Sequence, residues 1–186
     1  MASVVLNGSV SGSCTITAPS AAGTTTLTLP TTSGTVLTNG TNTNFPAGTV
    51  LQVVNATYST QTSNSTSTYA DTGLTASITP SSSSNKILVL VNQSSVGKNS
   101  GNTEQAVNLK LVRNSTDIIF FAGVVGYTGT SSFNLGFAST TSYLDSPNTT
   151  SSVTYKTQFA GNANAASVRV QIDGYTSSIT LMEIKG

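Results

Sequence analysis

At 186 residues the chain has room for one good-sized domain and an arm, but it carries no histidine, a single cysteine, only 7% charged residues and a net charge of +1. These totals exclude Ser-His-Asp and Cys-His catalysis, histidine-based zinc sites and an internal disulfide framework. They also make nucleic acid and anionic membranes poor partners, because so neutral a surface steers nothing electrostatically.

An average globular protein has ~25% charged residues, so the polar surface here must be built of Ser, Thr, Asn and Gln. Such a surface resists self-association weakly. It fits a chain whose edges and faces are covered by neighbouring copies, with a secreted Thr-rich monomer as the alternative.

The N-terminus, MASVVLNGSV, has no basic n-region, and no stretch approaches the ~20 apolar residues of a membrane span. Synthesis in the cytoplasm without processing and no membrane insertion are therefore expected, with Cys14 as a small buried residue. Residues 1–46 differ from the rest. Ser13 to Thr17 alternates with Cys14 and Ile16 on one face, Thr24 to Leu29 does the same with Leu27 and Leu29, and Thr35 to Thr38 carries Val36 and Leu37. Pro19 and Pro30, each followed by small and polar residues, punctuate these pieces as turns.

Strands this short with so few large side chains do not offset the ~1–2 kcal/mol per residue of backbone ordering. The segment must pack on something else. It is either an edge hairpin of the following domain or an attachment arm for other subunits or a larger scaffold, with Ile16, Leu27 and Leu29 as candidate anchors. Gly40 to Gly48, GTNTNFPAG, reads as the linker, giving an arm over 1–46 and a main domain over 47–186.

From Thr49 onward, strand signals come at steady intervals: Val50 to Ala56, Thr72 to Ile78, Ile87 to Val91, Val107 to Arg113, Asp117 to Ala122, Phe133 to Ser139, Val153 to Phe159, Val168 to Asp173 and Ile179 to Ile184. Regular short strands between turn clusters, with no helical period, predict an all-β fold: a jelly-roll-like antiparallel β-sandwich preceded by a β-strand arm. Leu74, Ala76 and Ile78 share one face of their strand until Pro80 and a serine run break it. Ile87, Val89 and Val91 oppose Leu88 and Leu90, so that strand is apolar on both sides and belongs in the middle of a sheet. In three later strands Lys110, Lys156 and Arg169 fall opposite the apolar set, on the outer face. The last strand places Ile179 and Leu181 with Glu183 on one face and Met182 and Ile184 on the other. Two apolar faces there point to burial against a neighbour. Ser94 to Gln105 and Thr140 to Ser152 read as long polar loops, near the ~12-residue length at which loops are often functional.

Carboxylate-pair chemistry needs two acids brought together. Asp71, Glu104, Asp117, Asp145, Asp173 and Glu183 are scattered, mostly at turns or on outer faces. The glycines occupy hairpin turns, not phosphate-cradling loops. No catalytic residue, cofactor or metal is expected, and the Asn-x-Ser/Thr triplets follow from composition. Tyr127, Tyr143 and Tyr175, in or beside turns, are the candidates for ligand contact.

The stretches ITAPSAAGTTTLTLPTTSGTVLTNG (Ile16 to Gly40), GTVLQVVNATYS (Gly48 to Ser59), TGLTASITPSSSSNKILVLVNQ (Thr72 to Gln93) and SSITLMEIKG (Ser177 to Gly186) together resemble short virion proteins of tailed bacteriophages, particularly marine ones. The resemblance covers about half of the chain. It implies a homotrimeric, β-rich protein of the virion surface, anchored by its N-terminal arm to capsid or tail proteins, with a projecting jelly-roll-like domain and no catalytic residues. Tail fibres usually add a long shaft and a docking domain, and here the head follows the arm at once. A capsid decoration or head-fibre protein is thus the first expectation. A tail-fibre protein contacting a host cell-surface glycan through the loops around Asn99 and Asn148 is the alternative.

Overall fold

The computed structural model describes residues 3–7, 10–17, 20–21, 23–24, 26, 31–33, 45–100, 106–127, 136–162 and 167–186, without the side chains of residues 3, 4, 14, 99 and 100. The chain forms two compact units, residues 1–36 and 37–186.

In the first unit, β1 (Ser3–Asn7) and β2 (Ser13–Thr17) pair as an antiparallel hairpin with Val4 opposite Ile16 and Leu6 opposite Cys14. The sequence reading anticipated β2 and missed its partner. Val5, Leu6, Val10 and Ile16 are all more than half exposed. A two-stranded hairpin by itself is marginally stable at best. The Cys14 side chain, Leu27 and Leu29 lie outside the described residues.

The second unit contains β3 (Val50–Tyr58), β4 (Thr62–Asn64), β5 (Ala70–Ile78), β6 (Lys86–Ser100), β7 (Val107–Arg113), β8 (Thr116–Val125), β9 (Phe137–Asp145), β10 (Val153–Gly161), β11 (Ser167–Val170) and β12 (Ser177–Ile184). One sheet runs β3-β12-β6-β9 and the other β5-β10-β7-β8, while β11 and then β4 extend from the far half of β6. Without the short β4 and β11, eight long strands remain. The first pairs with the last (β3 with β12), the second with the seventh (β5 with β10), the third with the sixth (β6 with β9) and the fourth with the fifth (β7 with β8), all antiparallel. That nested order results when one long hairpin rolls up into two facing sheets. The fold is a jelly roll, as expected from the strand spacing.

The core follows from the period-2 alternation. Leu74, Ala76 and Ile78 of β5, Leu111 of β7, and Val153 and Tyr155 of β10 meet Ile87, Val89 and Val91 of β6 and Ile179 and Leu181 of β12. A second cluster joins Val96, Val107, Leu109, Phe159, Val168 and Val170. Each large side chain fully withdrawn from water stabilises the fold by about 1.5–3 kcal/mol. Along β10, Thr157 falls between the two clusters, and along β6 so does Gln93. The buried Thr157 hydroxyl donates to Gln93 Oε1 at 2.8 Å and lies 2.6 Å from Thr72 Oγ1, and Gln93 Nε2 donates to Ser177 Oγ at 3.0 Å. The two apolar clusters are thus joined by a hydrogen-bonded polar seam.

Several expectations need correction. Ser94 to Gln105 is not a loop from its start, since β6 continues to Ser100 through a register shift between Gln93 and Val96, with Ser95 at φ 49°. The bulge breaks the alternation and Lys98, almost fully buried, disguises an inward position. The polar stretch from Thr140 likewise belongs to β9 as far as Asp145, where Tyr143 and Asp145 face inward between serines and threonines. Residues 133–135, assigned by sequence to that strand, lie outside the described residues. The strand from Val168 ends at Val170, because Gln171 and Asp173 adopt left-handed φ of 52° and 56° around a 3-10 turn, Ile172–Gly174. The acids are not all peripheral either: Asp145 and Glu183 are buried.

Candidate functional site

The outer faces of the two sheets differ in chemistry. On β5-β10-β7-β8 the charges are paired across strands: Lys156 with Asp71 at 2.8 Å and Lys110 with Asp117 at 2.8 Å. Gln158 also donates to Asp71 at 2.7 Å. Partial burial raises the Asp71 carboxyl, but Lys156 and Gln158 outweigh it and hold the group below its usual range. Lys110 sits 4.3 Å from the centre of the Tyr69 ring, which meets Phe120 edge-on. Phe120, opposite Lys110, is itself 62% exposed, so this face mixes paired charges with an exposed ring, and surface pairs of this kind contribute little to stability.

Among the described residues, no such charge pair is seen on the outer face of β3-β12-β6-β9. The strand register aligns Val53 with Met182, Met182 with Leu88, and Leu88 with Leu144, so one apolar row crosses all four strands. Ile184 and Leu90 flank this row on either side, opposite Lys86 and Ser142 respectively. Val53 is 56% exposed, Leu144 48% and Leu90 36%, while Leu88, Met182 and Ile184 are half-buried. The face turns polar already in the row of Leu90, whose other members are Asn55, Thr180 and Ser142, and there Asn55 donates to Thr180 Oγ1. The sequence signalled the β6 and β12 parts of this row through their second apolar faces. It missed Val53 and Leu144, which are single apolar residues among polar neighbours. A partly exposed apolar row of this kind makes the face a candidate interaction surface.

The two buried carboxylates serve the fold. Glu183 accepts from Ser81 N and Oγ at 2.6 and 2.8 Å, from Asn85 Nδ2 at 2.6 Å and from Gln52 Nε2 at 2.6 Å. Burial favours its neutral form, yet these donors prevail and keep the carboxyl below its usual range. Asp145 is gripped by Arg113 Nη1 at 2.7 and 2.9 Å and by Tyr155 Oη at 2.6 Å. Burial first, and the Asp145 carboxylate second, raise the Tyr155 phenol well above its ordinary value. Both carboxylates thus accept three or more hydrogen bonds from side chains and backbone of the fold itself. Among the described residues no three potential metal-ligating side chains gather.

Of the nominated tyrosines, Tyr143 packs half-buried against the main core from β9 and stands in no turn. Tyr127 is 52% exposed in the turn after β8, and Tyr175 is 64% exposed after the 3-10 turn. Only Tyr175 among them lines the cavity of about 380 Å³ formed with Ser94, Ser95, Gly136, Phe137, Ala138, Ile172 and Asp173. Phe137 and Asp173 carried no sequence signal for this place, because a bulge and a pair of left-handed residues bring them there. Ile16 stands exposed on β2.

No protein-family model matches the chain, and no curated protein matches it in sequence. The crystal structure of the infectious bursal disease virus VP2 subviral particle is similar to it with a TM-score of 0.47 and 10% identity, over 85% of this chain and 41% of that one. The chain therefore spans less than half the length of that structure.

Proposed function

We propose that this protein is a non-enzymatic structural component of a phage virion surface, a capsid decoration or head-fibre protein. Its copies associate into a homotrimer through the outer face of β3-β12-β6-β9, and its N-terminal segment attaches the trimer to the particle. The observation that carries this reading is the apolar row Val53–Met182–Leu88–Leu144, set against an opposite sheet whose outer face is charged and paired. An occupant of like chemistry, a second copy, covers such a row without stranding a charge, since Lys86 at its margin is the only charged side chain in the adjoining rows. The low charge content and the phage-like stretches support the same reading.

The exposed apolar residues of the β1–β2 hairpin, Val5, Leu6 and Ile16, favour attachment through the arm, together with Leu27 and Leu29 of the sequence. Deleting residues 1–40 is expected to leave a soluble trimer that no longer binds particles in a co-sedimentation assay. Particle binding by the shortened chain would remove the arm from the anchoring role. Immunogold labelling of intact virions tests the location, and gold over the heads is the expected result. Gold at the tail would instead favour the second reading, a receptor-binding fibre protein, for which the cavity beside Tyr175 is the supporting observation.

A further inference from the structure

The cavity beside Tyr175 lies within the range of small-ligand sites, about 300–1,000 Å³, at about 380 Å³. Its lining combines two exposed aromatic rings, Tyr175 at 64% and Phe137 at 42%, with the Asp173 carboxylate and the hydroxyls of Ser94 and Ser95. Among the described residues, no basic side chain lines it. Among the described residues, the side chains of Asp173 and Ser95 make no hydrogen bond or ion pair, so their acceptors are available.

One side of the cavity is tied together by hydrogen bonds. Ser94 N donates to Ser177 Oγ at 2.9 Å, Ser94 Oγ donates to the Thr176 carbonyl at 2.7 Å, and Gln171 N donates to the Ser94 carbonyl at 3.2 Å. Ser177 in turn receives Gln93 and Gln171 from the buried seam. Three bonds therefore tie the β6 bulge to the turn that carries Asp173 and Tyr175, and a preformed site loses little entropy on binding. A ligand that fits this lining presents an apolar ring face for the aromatics and several hydroxyl donors for the carboxylate. It carries no negative charge, because the site offers Asp173 and no cation.

We propose that this cavity binds a single pyranose unit of a neutral polysaccharide, with Tyr175 as the stacking platform and Asp173 as the hydroxyl acceptor. The inference is independent of the assembly reading, since the cavity and the apolar row share no residue.

Saturation-transfer NMR of the full chain tests it with glucose, galactose, mannose and N-acetylglucosamine as probes and N-acetylneuraminic acid as the anionic control. At least one neutral sugar is expected to receive saturation. Its affinity should fall about ten-fold or more in both Tyr175→Ala and Asp173→Asn, the loss expected when a charge-assisted bond or a stacking partner is removed. Both side chains are exposed, so the unfolding midpoint should not move, and Tyr127→Ala should bind as the unaltered protein does. Three results would each overturn the proposal: no transfer to any of the four neutral sugars, binding that survives both substitutions, or N-acetylneuraminic acid binding as tightly as the best neutral sugar.

Discussion

Gly73 stands inside β5 with φ at 90°, and a Cβ there would enter the ring of Tyr58. Any other residue would meet both a left-handed backbone penalty and an aromatic ring that must move. Gly73→Ala should therefore destabilise the fold by about 2 kcal/mol or more, read as a lower urea midpoint. An unchanged midpoint would mean that Tyr58 moves aside without cost. Nothing in the alternation of Leu74, Ala76 and Ile78 reveals this requirement, because side-chain period reports which face is buried and is silent on φ. The same silence hid Val124, a β-branched residue at φ 61°, and the left-handed pair Gln171 and Asp173 that turns β11 away from its strand path. Buried polar side chains were equally illegible. Thr157 sits at an inward position that its spacing does give, but its bond to Gln93 depends on a neighbour 64 positions away.

Elements were read well where both faces differ in polarity and badly where they do not. β7 runs over Val107–Arg113, the bounds its alternation predicts. β6 was cut short after Val91 because its second half is Gln, Ser, Gly and Lys, and its pairing with β9 and β11 there comes from distant strands. Glu183 illustrates the same point between elements. Spacing put it on the inward face of β12 with Ile179 and Leu181, and only the fold supplies its donors, Gln52 from β3 and Ser81 and Asn85 from the turn before β6. Its carboxyl is lowered in the folded protein relative to the ordinary 4.5. The stabilisation it provides is thus complete above that value and is lost as pH falls through the lower folded value. Glu183→Gln should lower the unfolding midpoint at neutral pH, and the gap to the unaltered protein should narrow as the solution is acidified below that range. A gap that stays constant with pH would mean that the Glu183 charge adds nothing to the fold.

For the whole molecule, strand number and spacing were enough to indicate a jelly roll, while the nested pairing of β3 with β12 through β7 with β8 required coordinates, since strand order is a property of contacts far apart in sequence. The assembly face was half legible. Leu88, Leu90, Met182 and Ile184 declared a second apolar side to their strands, and the register then joined them to Val53 and Leu144 at the two edges. In the proposed assembly this row is the contact between copies. The most direct test is sedimentation velocity on the unaltered protein and on a Val53→Asp, Leu144→Asp double variant, whose substitutions fall at exposed edge positions outside the core. The unaltered chain is expected to sediment as a trimer and the variant as a monomer with unchanged circular dichroism. A monomeric unaltered chain, or a variant that associates as the unaltered chain does, would contradict the proposed assembly.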